Sequence, residues 1–140
     1  MDKRLEGLIV SKNDWTLEPF SDVHENLVLE YFLSKEDVEV LKLGFKPFNM
    51  DDRWFTYYEG GRLYCYRSWS GLCMFVVTLN ADDNEQYVTA YSYVEKRTED
   101  LKSFATRTLT KLLPYLVALG APKMEYFRKI QASVSNNDAE

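Results

Sequence analysis

Four short segments between residues 53 and 95 constrain the fold more than any other feature of the sequence. They read RWFTYYE, RLYCYRSW, LCMFVVTLN and QYVTAYSYVEK, and each is rich in the aromatic and β-branched residues that favour strands. The residues that separate them are typical of tight turns: Gly60-Gly61, Ser70-Gly71 and Asp82-Asp83-Asn84. The pattern therefore predicts a four-stranded antiparallel meander over about 53–95.

Helical periodicity returns after the last of these segments. Thr98 is suited to cap a helix. The apolar residues that follow recur on one helical face: Leu101, Phe104, Ala105, Leu109, Leu112, Leu113 and Leu116. We predict a long helix over about 99–119. Pro114 should kink or split this helix, and Gly120 and Pro122 should end it.

A shorter helix is predicted upstream of the strands. Ser34 and the aspartate three residues later resemble a capping box with Asp in place of Glu, and Gly44 stands where a helix would end. We therefore predict a short helix over about 35–43. The apolar spacing from Val23 to Phe32 fits a further helix, with a strand through Leu27–Leu33 as the alternative.

These elements predict an α+β domain in which a helix packs on one face of an antiparallel sheet. A chain of 140 residues with 46% hydrophobic residues suits one domain, which we place at 1–130, followed by a polar, frayed tail at 131–140. We expect one side of the last strand to face the helix: Val88, Ala90, Ser92 and Val94. A tyrosine-rich face should then lie at or near solvent.

Composition limits the class of partner. The formal net charge of −5 disfavours a nucleic-acid polymer, whereas one or two arginines suffice to bind a small phosphorylated ligand. No apolar stretch reaches membrane-spanning length, and the apolar run near the N-terminus is too short for a signal peptide, so we expect a cytoplasmic protein. Cys65 and Cys73 are interpreted as buried thiols, with a pair facing across a hairpin as the alternative. The edge strands of an open meander allow a homodimer.

Residues typical of catalytic sites are scarce. His24 is the only histidine, and we interpret it as a surface residue; with no CxxC motif, P-loop or GxGxxG motif, no metal site and no cofactor are predicted. The acidic pairs coincide with predicted turns or a helix start, where carboxylates cap backbone N–H groups: Asp51-Asp52, Asp82-Asp83 and Glu99-Asp100. We expect no enzyme. The alternative is an active site built from Arg67 with Asp51, Asp52 or Glu59.

Arg67 is the most informative single residue of the predicted sheet. A guanidinium within a sheet is costly to bury alone, so it either meets a carboxylate or stacks on a ring. One interpretation is a structural clasp to Trp54 or Glu59; the other is recognition of an anion beside stacking rings. Arg53 and Arg62 are interpreted as solvated charges at strand ends. The candidate ligand-binding residues are Trp54, Tyr57, Tyr66, Arg67, Ser68 and Trp69.

The same block carries a resemblance to a known pattern. The runs Arg53-Trp54-Phe55-Thr56-Tyr57, Leu63-Tyr64 and Arg67-Ser68-Trp69-Ser70-Gly71 resemble W-F-x-Y, a short gap and L-Y-x-x-R-S-W-[ST]-G of a small uncharacterised bacterial domain. We connect that domain loosely with ADP-ribose-processing proteins such as ADP-ribosylglycohydrolases and macrodomains. The resemblance implies a link to ADP-ribose-like ligands and carries no activity of its own. The residues matched to the motif are Trp54, Tyr57, Tyr64, Arg67, Ser68, Trp69 and Gly71.

Two functions follow from these features. The first is a non-catalytic binding module for a nucleotide-like or ADP-ribose-like small ligand, acting as a sensor or a sequestering protein. Aromatic rings would stack on the ligand, and Arg67 would contact its phosphate. The second is a protein–protein interaction domain of the inhibitor or immunity type, acting on a toxin or enzyme, because Tyr, Trp and Arg dominate interface hot spots.

Overall fold

The computed structural model describes residues 7–18, 25–49, 51–81, 86–92 and 101–138. Within them the regular elements are a 3-10 turn (Lys12–Asp14), strand β1 (Glu25–Leu33), helix α1 (Lys35–Leu41), strands β2 (Trp54–Glu59), β3 (Arg62–Arg67), β4 (Cys73–Ala81) and β5 (Gln86–Ser92), and helix α2 (Leu101–Asp138). The sheet has the order β1-β5-β4-β3-β2, with every neighbouring pair antiparallel. The α+β class, the antiparallel sheet and the long C-terminal helix are thereby confirmed.

The predicted strand count of four is wrong, because β1 pairs with the outer side of β5. This segment was predicted to be a helix, and the alternative strand reading is the one observed. Its sequence, ENLVLEYFL, fits both periods, so hydrogen bonding to a neighbouring strand decided between them. The strand Gln86–Ser92 is described, but the predicted direction of its side chains lies outside the described residues.

Helix α2 packs on one face of the sheet and forms the main core with it. The apolar stripe predicted for the helix is buried as expected, apart from Leu101, whose side chain lies outside the described residues: Phe104, Ala105, Leu109, Leu112, Leu113 and Leu116. The sheet contributes alternate residues of its central strands, which include Leu63, Cys65, Phe75 and Val77. The helix and the sheet therefore share one apolar interface.

The predicted end of the long helix is wrong. Helix α2 continues through Pro114, Gly120 and Pro122, and it includes most of the segment predicted as a tail. Both prolines are exposed, so solvent can satisfy the carbonyl groups that lose an intrahelical partner. A Cβ atom at Gly120 would lie 2.6 Å from a methyl group of Val40, so this glycine permits close approach of α1. The predicted cap, Thr98, lies outside the described residues.

Helix α1 begins as its sequence indicates. The Ser34 side chain accepts a hydrogen bond of 3.0 Å from the backbone N–H of Asp37. The helix ends two residues earlier than predicted, and Gly44 follows with a φ of 75°. On its exposed side, Glu36 accepts both hydrogen bonds of the Arg128 guanidinium, at 2.7 and 2.8 Å, which ties α1 to the distal half of α2.

Residues 7–18 cover the opposite face of the sheet. Val10 is buried there, and the Trp15 ring stacks on Phe55 with centroids 5.8 Å apart. Tyr57 and Tyr66 are buried in the same cluster, so the predicted solvent-exposed tyrosine face is wrong for these two residues. This irregular cover has no periodic pattern by which it could be predicted. Because it packs on the face opposite helix α2, the sheet has two packed faces rather than one.

Candidate functional site

A cavity of about 600 Å³ lies between the sheet and helix α2. Four cationic side chains line it, together with one carboxylate: Arg53, Arg67, Arg107, Lys111 and Asp51. Their formal charges leave an excess of three positive charges in a protein whose net charge is −5. We call this cavity the basic groove.

Two parts of the fold bring these charges together. Trp54 and Arg67 are directly paired at the ends of β2 and β3, which places Arg53 and Asp51 beside them in the preceding loop. On the other side of the groove, Arg107 and Lys111 lie four positions apart in α2, so they share one helical face. Tyr115 continues the same row, while Leu112 contributes buried apolar surface.

The Arg67 guanidinium lies over the Trp54 ring, with its central carbon 4.4 Å from the ring centroid. The indole also stacks on Phe75 at 6.0 Å and is only 9% exposed. The predicted clasp between Arg67 and Trp54 is therefore observed, whereas Glu59, the other partner considered, lies 3.9 Å from Lys12. Trp54 thus supports the arginine and offers little ring surface for stacking.

A second cavity, of about 410 Å³, adjoins the basic groove. It shares three lining residues with the groove, Asp51, Arg53 and Arg67, and adds Trp69. The Trp69 side chain is 75% exposed. Both cavities therefore meet at the same two arginines.

Backbone hydrogen bonds fix the turn that carries Trp69. Gly71 N–H donates to the Arg67 carbonyl at 2.8 Å, and Ser68 N–H donates to the Arg53 carbonyl at 2.9 Å. The buried Ser68 hydroxyl donates to the Asp52 carbonyl at 2.8 Å. Ser68 consequently holds the turn against the loop at 51–53, and its side chain does not line either cavity.

The structure brings together only half of the predicted site residues. Trp54, Arg67 and Trp69 line the two cavities, but Tyr57 and Tyr66 lie on the opposite face of the sheet. There the two hydroxyl oxygens are 3.4 Å apart, and burial raises the pKa of both phenols. Both tyrosines are buried core residues, so their position does not support the prediction that they bind a ligand.

Sequence reasoning missed the helical half of the site. Arg107, Lys111 and Tyr115 come from a helix interpreted only through its apolar stripe. A usable signal was present, because two cations at positions i and i+4 repel each other and weaken an isolated helix. Arg53, interpreted as a solvated charge at a strand end, lines both cavities.

The acidic pair Asp51-Asp52 divides into two roles. Asp52 accepts hydrogen bonds from the backbone N–H groups of Phe48 and Asn49, at 2.7 and 3.2 Å, so it shapes the loop. The Asp51 side chain lines the groove. The other acidic pairs and His24 lie outside the described residues. Within the described ranges, no group of three or more His, Cys, Asp or Glu side chains is arranged to hold a metal ion.

The two cysteines are free and buried on different faces of the sheet. Cys65 belongs to the core under α2, and Cys73 belongs to the cluster covered by residues 7–18. Burial raises the pKa of both thiols, that of Cys73 to about 12. The interpretation as buried thiols is therefore the one observed.

Comparison with protein-family models, with curated proteins and with solved structures found no match for this chain. Among the described residues, no helix combines the length and the apolar character needed to cross a bilayer. A functional assignment consequently depends on the chemistry of the basic groove and of the cavity beside Trp69.

Proposed function

We propose that this protein is a non-catalytic binding module for a small phosphorylated ligand, nucleotide-like or ADP-ribose-like, which it holds in the basic groove. The observation that carries this proposal is the concentration of four cationic side chains around one cavity of an acidic protein. A bound phosphate would neutralise part of that charge. Binding would let the protein act as a sensor or sequester the ligand.

The arrangement of the cations supports a role in binding rather than in stability. Arg107 and Lys111 repel each other along the helix, and neither Arg53 nor Lys111 forms an ion pair within the described residues. Surface ion pairs elsewhere in the chain do combine opposite charges, as Lys129 does with Glu125 at 3.6 Å. The groove thus gathers four cations around one carboxylate, and a bound anion would reduce their mutual repulsion.

The groove also supplies suitable chemistry for a nucleotide. Arginine guanidinium groups bind phosphate through two parallel hydrogen bonds, and contact with Trp54 restricts the orientation of Arg67. Tyr115, 46% exposed, and Trp69 offer ring surfaces on which a base or sugar can stack. A volume of about 600 Å³ is typical of small-molecule sites.

Binding without catalysis is favoured by the composition of the lining. Asp51 is the single carboxylate that lines the groove in the described part of the chain. Glycoside hydrolysis ordinarily requires two carboxylates at a defined separation. The groove therefore offers cations and aromatic rings, which bind a phosphorylated ligand, and lacks a second carboxylate for hydrolysis among the described residues.

The test is calorimetric titration of ADP-ribose, NAD, ADP and cyclic nucleotides into the protein and into two matched variants. Lys111→Ala removes a cation from the groove, and Lys129→Ala removes an exposed cation from the same helix, about 27 Å further along it. We expect Lys111→Ala to weaken binding at least about tenfold, because one charge-assisted hydrogen bond contributes about 1.5–3 kcal/mol. Lys129→Ala should bind like the parent.

Two results would refute the proposal. One is the absence of binding by every compound to a protein that unfolds cooperatively. The other is equal affinity of the parent and Lys111→Ala for a compound that does bind, since the ligand would then lie elsewhere. A thermal-shift measurement supports the titration, because a ligand at 100 times its Kd stabilises the fold by about 2.7 kcal/mol.

A second candidate is the inhibitor-type interaction domain, and one observation favours it. Phe48 is 94% exposed, and its loop is tied through Asp52 to the turn of exposed Trp69. Aromatic residues and arginine are enriched in protein–protein interfaces, and exposed Trp69 lines a cavity with Arg53 and Arg67. Recovery of one stoichiometric partner from native lysate by the parent, but not by Phe48→Ser, would support it, and retention by Phe48→Ser would count against it.

A further inference from the structure

The two cavities beside Arg67 differ in what they add to their shared residues. The basic groove extends along α2 towards Tyr115, whereas the smaller cavity extends to Trp69. Arg53 and Arg67 line both cavities and therefore stand at the junction between them. An anion held by these two arginines has room on both sides.

The cations also divide into two pairs. Arg53 and Arg67 belong to the loop before β2 and to the end of β3, while Arg107 and Lys111 belong to α2 and line only the larger cavity. Two adjacent phosphates match this division better than one does. One phosphate would meet the arginines at the junction, and the next would meet the pair on the helix.

We infer that the ligand is a diphosphate ester with an organic group on each side of the two phosphates, so that the charge lies inside the molecule and not at its end. This inference rests on the proposed function and narrows its ligand class. A ligand that ends in a phosphate fills one cavity only. A ligand with two arms fills both, with one arm towards Trp69 and the other towards Tyr115.

Both rings are placed to receive such arms. The turn of Trp69 is fixed by hydrogen bonds to the loop at 51–53, which also carries Arg53. Tyr115 is one helical turn beyond Lys111, so its ring follows the cation in the same row. Stacking of a base on an aromatic side chain changes affinity by about 5- to 150-fold on alanine substitution.

The experiment measures the Kd values of four probes by calorimetry. Diadenosine diphosphate has two arms, ADP has one, pyrophosphate has none, and a single-stranded adenine tetranucleotide has several internal phosphodiesters. The variants are Trp69→Ala and Tyr115→Ala, with Tyr126→Ala as the control because it is an exposed tyrosine about 16 Å further along α2. Circular dichroism and melting confirm that each variant is folded.

We expect diadenosine diphosphate to bind at least tenfold tighter than ADP, and pyrophosphate to bind weakest. Each groove variant should weaken diadenosine diphosphate about tenfold, whereas ADP should respond to one of the two. Tyr126→Ala should leave every affinity unchanged.

Three outcomes would overturn the inference. If ADP binds as tightly as diadenosine diphosphate, or if Trp69→Ala leaves the two-armed probe unaffected, the ligand occupies one cavity, and the proposed function stands without its refinement. If the tetranucleotide binds most tightly, the ligand is a nucleic-acid strand with phosphodiester groups rather than a diphosphate ester. If none of the probes binds, the proposed function fails together with the inference.

Discussion

Reversal of one charge in the groove should stabilise the free protein. Lys111→Glu replaces the repulsion between Lys111 and Arg107 with an i,i+4 attraction and lowers the positive excess of the groove from three charges to one. The matched substitution, Lys129→Glu, changes the net charge by the same amount. It replaces an attraction with Glu125, at 3.6 Å, by a repulsion.

The magnitudes follow from helical charge pairs, which contribute about 0.2–0.5 kcal/mol with either sign. Lys111→Glu removes one unfavourable pair and creates one favourable pair, so the free energy of unfolding should rise by about 0.5 kcal/mol. Lys129→Glu removes the favourable pair between Glu125 and Lys129 and creates an unfavourable one. Because Glu before Lys is the more stabilising order, the free energy of unfolding should fall by about 0.5–1 kcal/mol. The two variants should therefore differ by at least 1 kcal/mol, or about 2–4 °C in Tm.

Urea denaturation at low ionic strength measures this difference, and the same experiment in 1 M NaCl checks its origin. The Debye length falls from about 10 Å at 0.1 M to about 3 Å at 1 M, so the difference should shrink in high salt. If Lys111→Glu destabilises the protein as much as Lys129→Glu does, the groove does not hold mutually repelling charges. The charge argument for anion binding would then be refuted.

Three further predictions concern the cover formed by residues 7–18 and the cluster beneath it. Gly71→Ala should lower the free energy of unfolding, measured in urea, by about 2 kcal/mol or more, because a Cβ atom would lie 2.5 Å from the backbone oxygen of Thr16. The control is Gly60→Ala, which is also at positive φ but has open space around it. It should lower the free energy of unfolding by only about 1 kcal/mol. Trp15→Phe should cost at least about 0.5–1.5 kcal/mol in the same assay, since the 2.9 Å hydrogen bond to the Ser68 carbonyl is lost. The smaller ring also fills less volume against Phe55, and an unchanged stability would contradict this role. The Cys73 thiol should reduce stability at alkaline pH, because burial raises its pKa from 9.0 to about 12 and the unfolded chain therefore releases the proton first. Between these values Cys73 should contribute a fall of about 1.4 kcal/mol per pH unit to the free energy of unfolding, and the other buried thiol and the two buried phenols, whose pKa values are also raised, should add to that fall. Cys73→Ala should remove the Cys73 share of this slope, and an unchanged slope would contradict its role.

The sequence was informative where one local signal agreed with the tertiary structure. The apolar stripe of α2 predicted which side chains are buried, and Gly60-Gly61 predicted a hairpin turn whose two residues both have positive φ. The same reasoning failed where a tertiary contact decided the outcome. Gly120 resembled a helix end, but it is the point at which α1 approaches α2.

The candidate site was only partly predictable for a related reason. Arg67 and Trp54 were accessible to sequence analysis, because strand pairing brings them together through one short hairpin. Arg107 and Lys111 reach the same groove only because α2 crosses the sheet, and no local pattern encodes that crossing. The buried position of Tyr66 depends equally on a distant segment, residues 7–18.

That distant segment also has a consequence for the order of folding. Trp15 and its partner Ser68 are 53 positions apart, and the Glu18 N–H donates to the Gly71 carbonyl at 2.9 Å. Contacts of such long range form slowly, because the entropy of a large loop is lost before the contact is gained. The turn after β3 must form first, because it carries the Ser68 and Gly71 carbonyls that accept these hydrogen bonds. We expect, therefore, that residues 7–18, which precede the whole sheet in the chain, are among the last to gain protection from hydrogen exchange during refolding.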